Sequence, residues 1–496
     1  MTTLKNETLS QLPAAVQTPL PVSKGNKNHI LHIGVGAFHR AHQAYTWHQL
    51  RQRYPQQYAD WTILGVCLMP ADRAFVQQFE EQDYLYTLRM RAADGNDDVV
   101  VIDSITEVLY GPDDTAAVIH AIAHVDTRII SFTITEGGYN TDFDNHQFIW
   151  SNAHIQHDLE PGNPPKTVFG YLARGLAERK EKGVGGLVLM SCDNIQENGH
   201  VLKHALLAFL ERYDPTLRNW AADHVSFPNS MVDRITPAST SHDKDDFESC
   251  FGLRDNLLVV SEDFFQWVLE DTGLIGIPPL DEVGVQLVDD VRPYEAMKLS
   301  ILNAGHSLVG LLGDALGYTK IHDAIRHPQI AAVFERYAIY EAIPVLPAVA
   351  GVDLQVYFRT VRSRFSNAMI NDATARIISG SSDKIPKFLL PVVHRNLQTK
   401  NSNIDIAALV VAAWWYYLYR ANRLDDMRTV IDNKRDELKA LFDDESVSFI
   451  RFLQYRPVFG NLSANPLFVD SCKHYAASFL NGKMEDLLRD ILGKLR

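Results

Sequence analysis

The sequence predicts an α/β fold over residues 1–285 followed by a mainly α-helical domain over residues 286–496. Three observations predict it. In the first part, short runs rich in Ile, Leu and Val alternate with helical stretches, the pattern of strands joined by crossover helices. After Asp289-Asp290 that alternation stops and apolar residues recur at helical spacing. At 496 residues, 46% of them hydrophobic, the chain exceeds the size that one core usually serves, so two large domains are expected.

Ile30-Leu31-His32-Ile33 reads as a strand ending in Gly34-Val35-Gly36, with Ala37-Phe38-His39-Arg40-Ala41-His42 opening a helix through Leu50. Gly34 and Gly36 can form a tight turn and let a pyrophosphate approach backbone N–H groups near the helix start. His39 stands where the general dinucleotide fingerprint has its third glycine, and an ordinary strand-turn-helix fits the same residues. Trp61 to Leu68 is a second strand. Asp72 follows at a distance suited to an adenosine ribose, which would favour NAD over NADP, and it equally suits a cap for the helix beginning near Arg73. Arg128 to Thr135 and Leu187 to Cys192 are further strands, with a helix over Val168 to Lys182 between them. Their ends carry the polar clusters Thr135-Glu136-Gly137-Gly138-Tyr139-Asn140 and Ser191-Cys192-Asp193-Asn194, where open parallel sheets place their ligands.

In the second part Pro293 suits the first turn of a helix through Met297, Leu299, Ile301, Leu302, Leu308, Val309, Leu311 and Leu312. Further helices are expected at Ile330 to Glu341, Ala407 to Tyr419, Leu424 to Phe442 and Met484 to Leu495. Ser379 to Lys384 reads as a polar loop before Ile385-Pro386. A ligand cleft between the two domains is the expectation.

A formal charge of -14 disfavours nucleic acid and anionic membranes and leaves small molecules as partners. Met1 to Lys27 lacks the basic-apolar-small order of a signal peptide, and the longest apolar run, Ile406 to Tyr419, falls short of the roughly 20 residues that span a bilayer. A cytoplasmic protein without a membrane anchor is expected. Cys67, Cys192, Cys250 and Cys472 lie far apart and each reads as a buried thiol. With no HExxH or CxxC arrangement, metal-independent chemistry is expected.

Lys298-Leu299-Ser300-Ile301-Leu302-Asn303-Ala304-Gly305-His306 places an amine, an amide and an imidazole in one helical stretch. On an ideal helix Lys298 and His306 differ by about 80 degrees and Asn303 lies about 60 degrees beyond His306, so the three can line one broad side. A polar helix surface fits the same pattern. Oxidation of a secondary alcohol needs a base for the hydroxyl proton, and Lys298 qualifies if its pKa drops from about 10.4. Asn303 and Asn194 can donate amide hydrogens to the oxygen as charge develops, and His306 can hold a hydroxyl. Asn194 also suits a turn, and His306 also suits helix packing. Asp233, in a rigid-loop setting after Pro228, can accept from substrate hydroxyls or pair with Arg234 or another arginine. Arg376 and Lys384 are basic candidates for the far end of a sugar chain, or surface charges.

The order and spacing of Gly34 to Gln43, Thr133 to Asn140, Ser191 to Asn194, Phe227 to Pro237 and the Lys298-Asn303-His306 helix resemble the polyol-specific long-chain dehydrogenase/reductase family over nearly the whole chain. The resemblance implies a Rossmann-type nucleotide-binding domain followed by a mainly α-helical substrate domain, with metal-independent hydride transfer to or from NAD. It implies Lys298 as acid/base, Asn194 and Asn303 as oxyanion stabilisers, and His306, Asp233, Arg376 and Lys384 as substrate-positioning residues. Gly34, Gly36, Phe38, His39, Arg40 and Asp72 would hold the cofactor. D-mannitol/D-fructose is the expected pair, with D-arabinitol/D-xylulose and fructuronate/mannonate next. A non-catalytic nucleotide and sugar sensor is the reading from another class. The resemblance favours a monomer. One departure stands out: Gly305 precedes His306 where the family more often has Ser or Thr.

Overall fold

The computed structural model describes residues 2–20, 27, 29–143, 145–272, 276–399, 402–423, 430–442, 449–481, 486–489 and 493, in two compact units, Met1–Arg292 and Pro293–Arg496. The first unit is an α/β domain built on six parallel strands: β1 (Ile30–Ile33), β2 (Ile63–Cys67), β3 (Ile105–Tyr110), β4 (Ile129–Phe132), β5 (Leu187–Ser191) and β6 (Val225–Ser226). Their spatial order is β3-β2-β1-β4-β5-β6. This is the doubly wound order, with its reversal between β1 and β4. Alternate residues feed opposite cores: Ile30, Ile63, Ile129 and Met190 join one cluster, while Leu31, Val66, Ile130 and Leu189 join the other. Both faces are covered, which is why the strands read as continuous apolar runs.

Two smaller sheets of the first unit were not visible in the sequence pattern. Val259–Glu262, Tyr86–Arg91, Asp97–Ile102 and Val16–Gln17 form one. The other pairs β7 (Ser230–Asp233) with Gln266–Glu270, which also pairs with Val285–Val288. Asp233 therefore ends a buried strand and does not sit in a loop, because Met231 and Val232 pair with Val268 and Trp267.

The second unit is helical. The apolar run through Ile406 lies in the helix Asp405–Arg423, which packs against the buried helix Ala304–Ala315. The stretch at Ile330 begins as the α-helix Pro328–Arg336 and continues as a π-helical segment, Tyr337–Ala342. The expected loop at Ser379 to Lys384 is instead mostly helical: Ser381–Lys384 forms a turn that runs into the π-helical Ile385–Leu389. Ser381 donates to the Ile378 carbonyl and Asp432 accepts the Ser382 amide at 3.0 Å, bonds that compensate for poor helix formers. Of the expected helix 424–442, residues 424–429 lie outside the described residues, and only Arg435–Ala440 is helical in the rest. Of 484–495, only 486–489 and 493 are described. Cys67, Cys192 and Cys472 are buried as expected, whereas Cys250 is exposed on the polar helix Ser241–Phe251. Among the described residues no helix is long and apolar enough to cross a membrane, and no group of three or more His, Cys, Asp or Glu is placed to hold a metal ion.

Glu341 couples this unit to pH. Its buried carboxylate accepts the N–H of Ile406 at 2.6 Å and of Ala407 at 2.9 Å, two donors that the first turn of Asp405–Arg423 leaves open. Burial pushes its pKa up from 4.5 to about 8. A carboxyl raised in the folded state stabilises fully below its unfolded pKa, and that contribution is lost as pH rises through the folded value. Between about pH 5 and about pH 9 the Tm is expected to fall several degrees more steeply than in Glu341→Gln. Calorimetry across that range checks it, and parallel curves would refute it.

Candidate active site

At the C-terminal end of β1 the chain turns through Gly34 with φ +98°. A Cβ there would stand 2.1 Å from the Thr133 carbonyl oxygen, so only glycine allows β1 and β4 to close at the switch point. Thr133 donates its hydroxyl to the Gly34 carbonyl at 2.6 Å. Buried His32 adds to this clamp, with Nδ1 2.7 Å from Ser131 Oγ and Nε2 3.0 Å from the Gly34 carbonyl. Burial drives its pKa down to about 3, so the ring is neutral. Gly36 differs: a Cβ there would meet nothing within 4 Å. That open space at the start of Ala37–Ala41, in the crevice of a doubly wound sheet, fits close approach of a dinucleotide pyrophosphate.

The other nucleotide-turn residues divide. Phe38 stacks on His42 at 5.0 Å, and buried His39 stacks on His32 at 3.3 Å. Arg40 turns into the core, donating to the Leu257 carbonyl and lying over the rings of Phe75 and Tyr86. Asp72 is partly exposed beyond β2, where its carboxylate accepts the Met69 amide at 3.2 Å. It precedes the helix Arg73–Glu81 without a side-chain cap bond to it, so the capping reading finds no bond there.

The ends of β4 and β5 are tied by a residue that no sequence motif singles out. Asp193, buried, accepts the Ile134 amide at 3.0 Å, the Thr135 amide at 2.9 Å and the Tyr139 hydroxyl at 2.7 Å. Thr135 is held at φ +62°, a conformation costing a β-branched residue on the order of 1–3 kcal/mol unless its surroundings impose it. Exposed Asn194 follows directly. Asn198 bridges this loop to β7, donating to the carbonyls of Asp193 at 3.0 Å and Ser230 at 2.9 Å. Asp233 is buried at the far end of β7. Neighbouring Arg234 donates to the carbonyls of Ala41 at 2.7 Å and Glu262 at 3.1 Å.

In the second unit Lys298 to Asn303 form a π-helical segment between the α-helices Arg292–Met297 and Ala304–Ala315. The angles expected of an ideal α-helix therefore do not apply, since the wider π turn rotates the residues beyond it. Lys298 and His306 are buried and Asn303 is partly exposed. The segment packs against both other π-helical segments, and Tyr337 donates to the Ser300 carbonyl at 3.0 Å. The Ile385–Leu389 segment, which packs on the Lys298 segment, begins directly after Lys384. Lys384 donates to the Ile377 carbonyl at 2.8 Å, and burial, with Arg376 adding to it, pushes its pKa down to about 8. Arg376 makes a two-point pair with Asp372 at 2.7 and 2.5 Å.

Gly305 has a packing reason. A Cβ there would stand 2.4 Å from the Phe334 ring, and Phe334 stacks on Phe365, which stacks on His306 at 3.9 Å. Gly305→Ser is expected to displace this stack and lower kcat/KM about tenfold through His306. Steady-state kinetics with an unchanged kcat/KM would contradict it.

Residues 28–281 match the mannitol dehydrogenase Rossmann domain and residues 290–479 match the mannitol dehydrogenase C-terminal domain. A mannitol dehydrogenase of Saccharomyces cerevisiae is 40% identical over 418 residues, 84% of this chain and 83% of that protein. The mannitol 2-dehydrogenase of Aspergillus oryzae is 36% identical over 498 residues, covering 98% and 97%. Among solved structures, Pseudomonas fluorescens mannitol 2-dehydrogenase in ternary complex with NAD and D-mannitol is similar with a TM-score of 0.90 and 37% identity, covering 99% of this chain and 100% of that one. A D-sorbitol dehydrogenase in substrate-free form gives a TM-score of 0.85 and 34% identity, covering 97% and 99%.

Proposed function

The chain belongs to the polyol-specific long-chain dehydrogenase/reductase family, an oxidoreductase lineage using NAD and polyols, and from that premise we propose that it interconverts D-mannitol and D-fructose. The observation that carries the proposal is the buried Lys298 in a π-helical segment that also supplies Asn303 and leads into His306. π-Helical turns are rare and recur at functional sites.

In the proposed chemistry Lys298 takes the hydroxyl proton of the carbinol during oxidation and returns it during reduction. Asn194 and Asn303 donate amide hydrogens to the same oxygen while its negative charge grows. His306 and Asp233 hold neighbouring hydroxyls. NAD, when bound, supplies the hydride acceptor, with Gly34 and Gly36 forming the cradle and Asp72 accepting from ribose hydroxyls while repelling the extra phosphate of NADP.

A neutral substrate is favoured over a uronate because Arg376 is already paired with a carboxylate and Lys384 already directs hydrogen bonds to backbone carbonyls. Arg376 spends a bidentate face on Asp372, and Lys384 donates to a helix carbonyl. Four free cysteines accord with a reducing, cytoplasmic setting.

Purified protein assayed with NADH and NADPH against D-fructose, D-xylulose and D-fructuronate tests the reading. NADH with D-fructose is expected to give the highest kcat/KM. Turnover with none of the three would defeat it, and binding of NAD or sugar without turnover would support the sensor instead.

A further inference from the structure

We propose that Asp193 and Tyr139 are positioning residues that aim the Asn194 amide at the reacting oxygen, an inference resting on the role given to Asn194 above. The backbone at Asn194 is unusually constrained. The Ile195 amide donates to the Asp193 carbonyl at 2.9 Å, which closes a three-residue turn with Asn194 at its apex. Asp193 and Ile195 are buried on either side, and Asn194 alone is exposed. Wherever Asp193 goes, the apex follows.

The Asp193 carboxylate fixes that position. Its two oxygens receive three donors from the turn after β4: the amides of Ile134 and Thr135 and the hydroxyl of Tyr139. Tyr139 is itself fully buried and sits 2.5 Å from Ser191 Oγ, at the end of β5. Only an acceptor on both oxygens satisfies this set, so an aspartate is required where an asparagine of equal size would confront a donor with its NH2 group. The same bonds hold Thr135 in the left-handed region that its branched side chain disfavours.

Asp193→Asn is expected to lower kcat for ketose reduction about a hundredfold, with the ketose KM changed no more than about threefold, because a misaimed amide is felt mainly in the transition state. Adding Thr135→Gly lets the turn relax towards the new amide and is expected to restore about tenfold. A purely structural defect would show no such kcat-specific loss and rescue. Wild-type turnover, measured first, tests the reading of the function separately. A folded Asp193→Asn with kcat within about twofold of wild type, or a loss confined to KM, or a double variant with no recovery, overturns the inference. Should Asp193→Asn fail to fold, Tyr139→Phe decides, since it removes one oxygen: a kcat about tenfold down supports the inference and an unchanged kcat overturns it.

Discussion

Lys298→Ala is expected to reduce kcat in both directions by about a thousandfold or more, at every pH, while NADH affinity stays within about threefold. Without the amine the proposed reaction lacks its proton acceptor. Hydride departure from a carbinol carbon leaves an oxygen whose proton must go somewhere as the carbonyl forms, and the amides proposed for that oxygen, Asn303 and Asn194, can donate hydrogen bonds but cannot accept that proton. His306 is the other titratable side chain of the Lys298-to-His306 stretch, but the proposal gives it a neighbouring hydroxyl and not the reacting oxygen. The loss should therefore be flat across pH, without a new optimum set by an imidazole. Steady-state turnover gives kcat, and NADH fluorescence titration gives affinity. Partial rescue by a small primary amine would identify the missing group as an amine. Retention of a tenth or more of wild-type turnover would remove Lys298 from the acid/base role.

Four of the six parallel strands and the long buried helix were legible because their signal is local: apolar runs bounded by polar turns, and helical spacing around Ile406. The edge strands Ile105–Tyr110 and Val225–Ser226 were not, the first because polar Thr106 and Glu107 interrupt its apolar run and the second because it is two residues long. The strands Tyr86–Arg91 and Asp97–Ile102 were not, since they are defined by pairing with each other and with strands as far away as Val259–Glu262. The π turn at Lys298 carries no residue signature, because Leu299, Ser300, Ile301 and Leu302 suit an α-helix equally well. Within the candidate site, the sequence pointed to residues whose chemistry advertises itself, Lys298, Asn303 and His306, and the structure places them on one continuous helical stretch. Asp193 stood inside a polar cluster already noticed, yet its three partners arrive from another strand end. Thr135 at positive φ is the reverse of what propensity predicts, so only the tertiary bonds reveal it. Arg40 illustrates the opposite case: the resemblance places it among the cofactor-holding residues, whereas aromatic rings and a backbone carbonyl take its side chain into the core.

Gly34→Ala and Gly36→Ala are expected to fail in different ways, although the sequence presents the two glycines as one motif. At Gly34 the added methyl would meet the Thr133 carbonyl at 2.1 Å, and that oxygen belongs to the backbone leaving β4, so no side-chain rotation can make room. The backbone would also be forced to hold alanine at φ +98°. The clash separates β1 from β4 at the switch point and breaks the bonds that Thr133 and His32 make to the Gly34 carbonyl. A destabilisation of roughly 3–5 kcal/mol is expected, large for a single methyl. At Gly36 the methyl enters open space, so the Tm should stay within about two degrees. The space it occupies is the approach to the helix start, where a pyrophosphate must come close to backbone N–H groups, and NADH affinity should fall about tenfold to a hundredfold. Calorimetry and NADH titration on the two variants separate the outcomes. A Gly34→Ala protein that melts with the wild type would refute the clash, and a Gly36→Ala protein that binds NADH normally would move the pyrophosphate away from this turn.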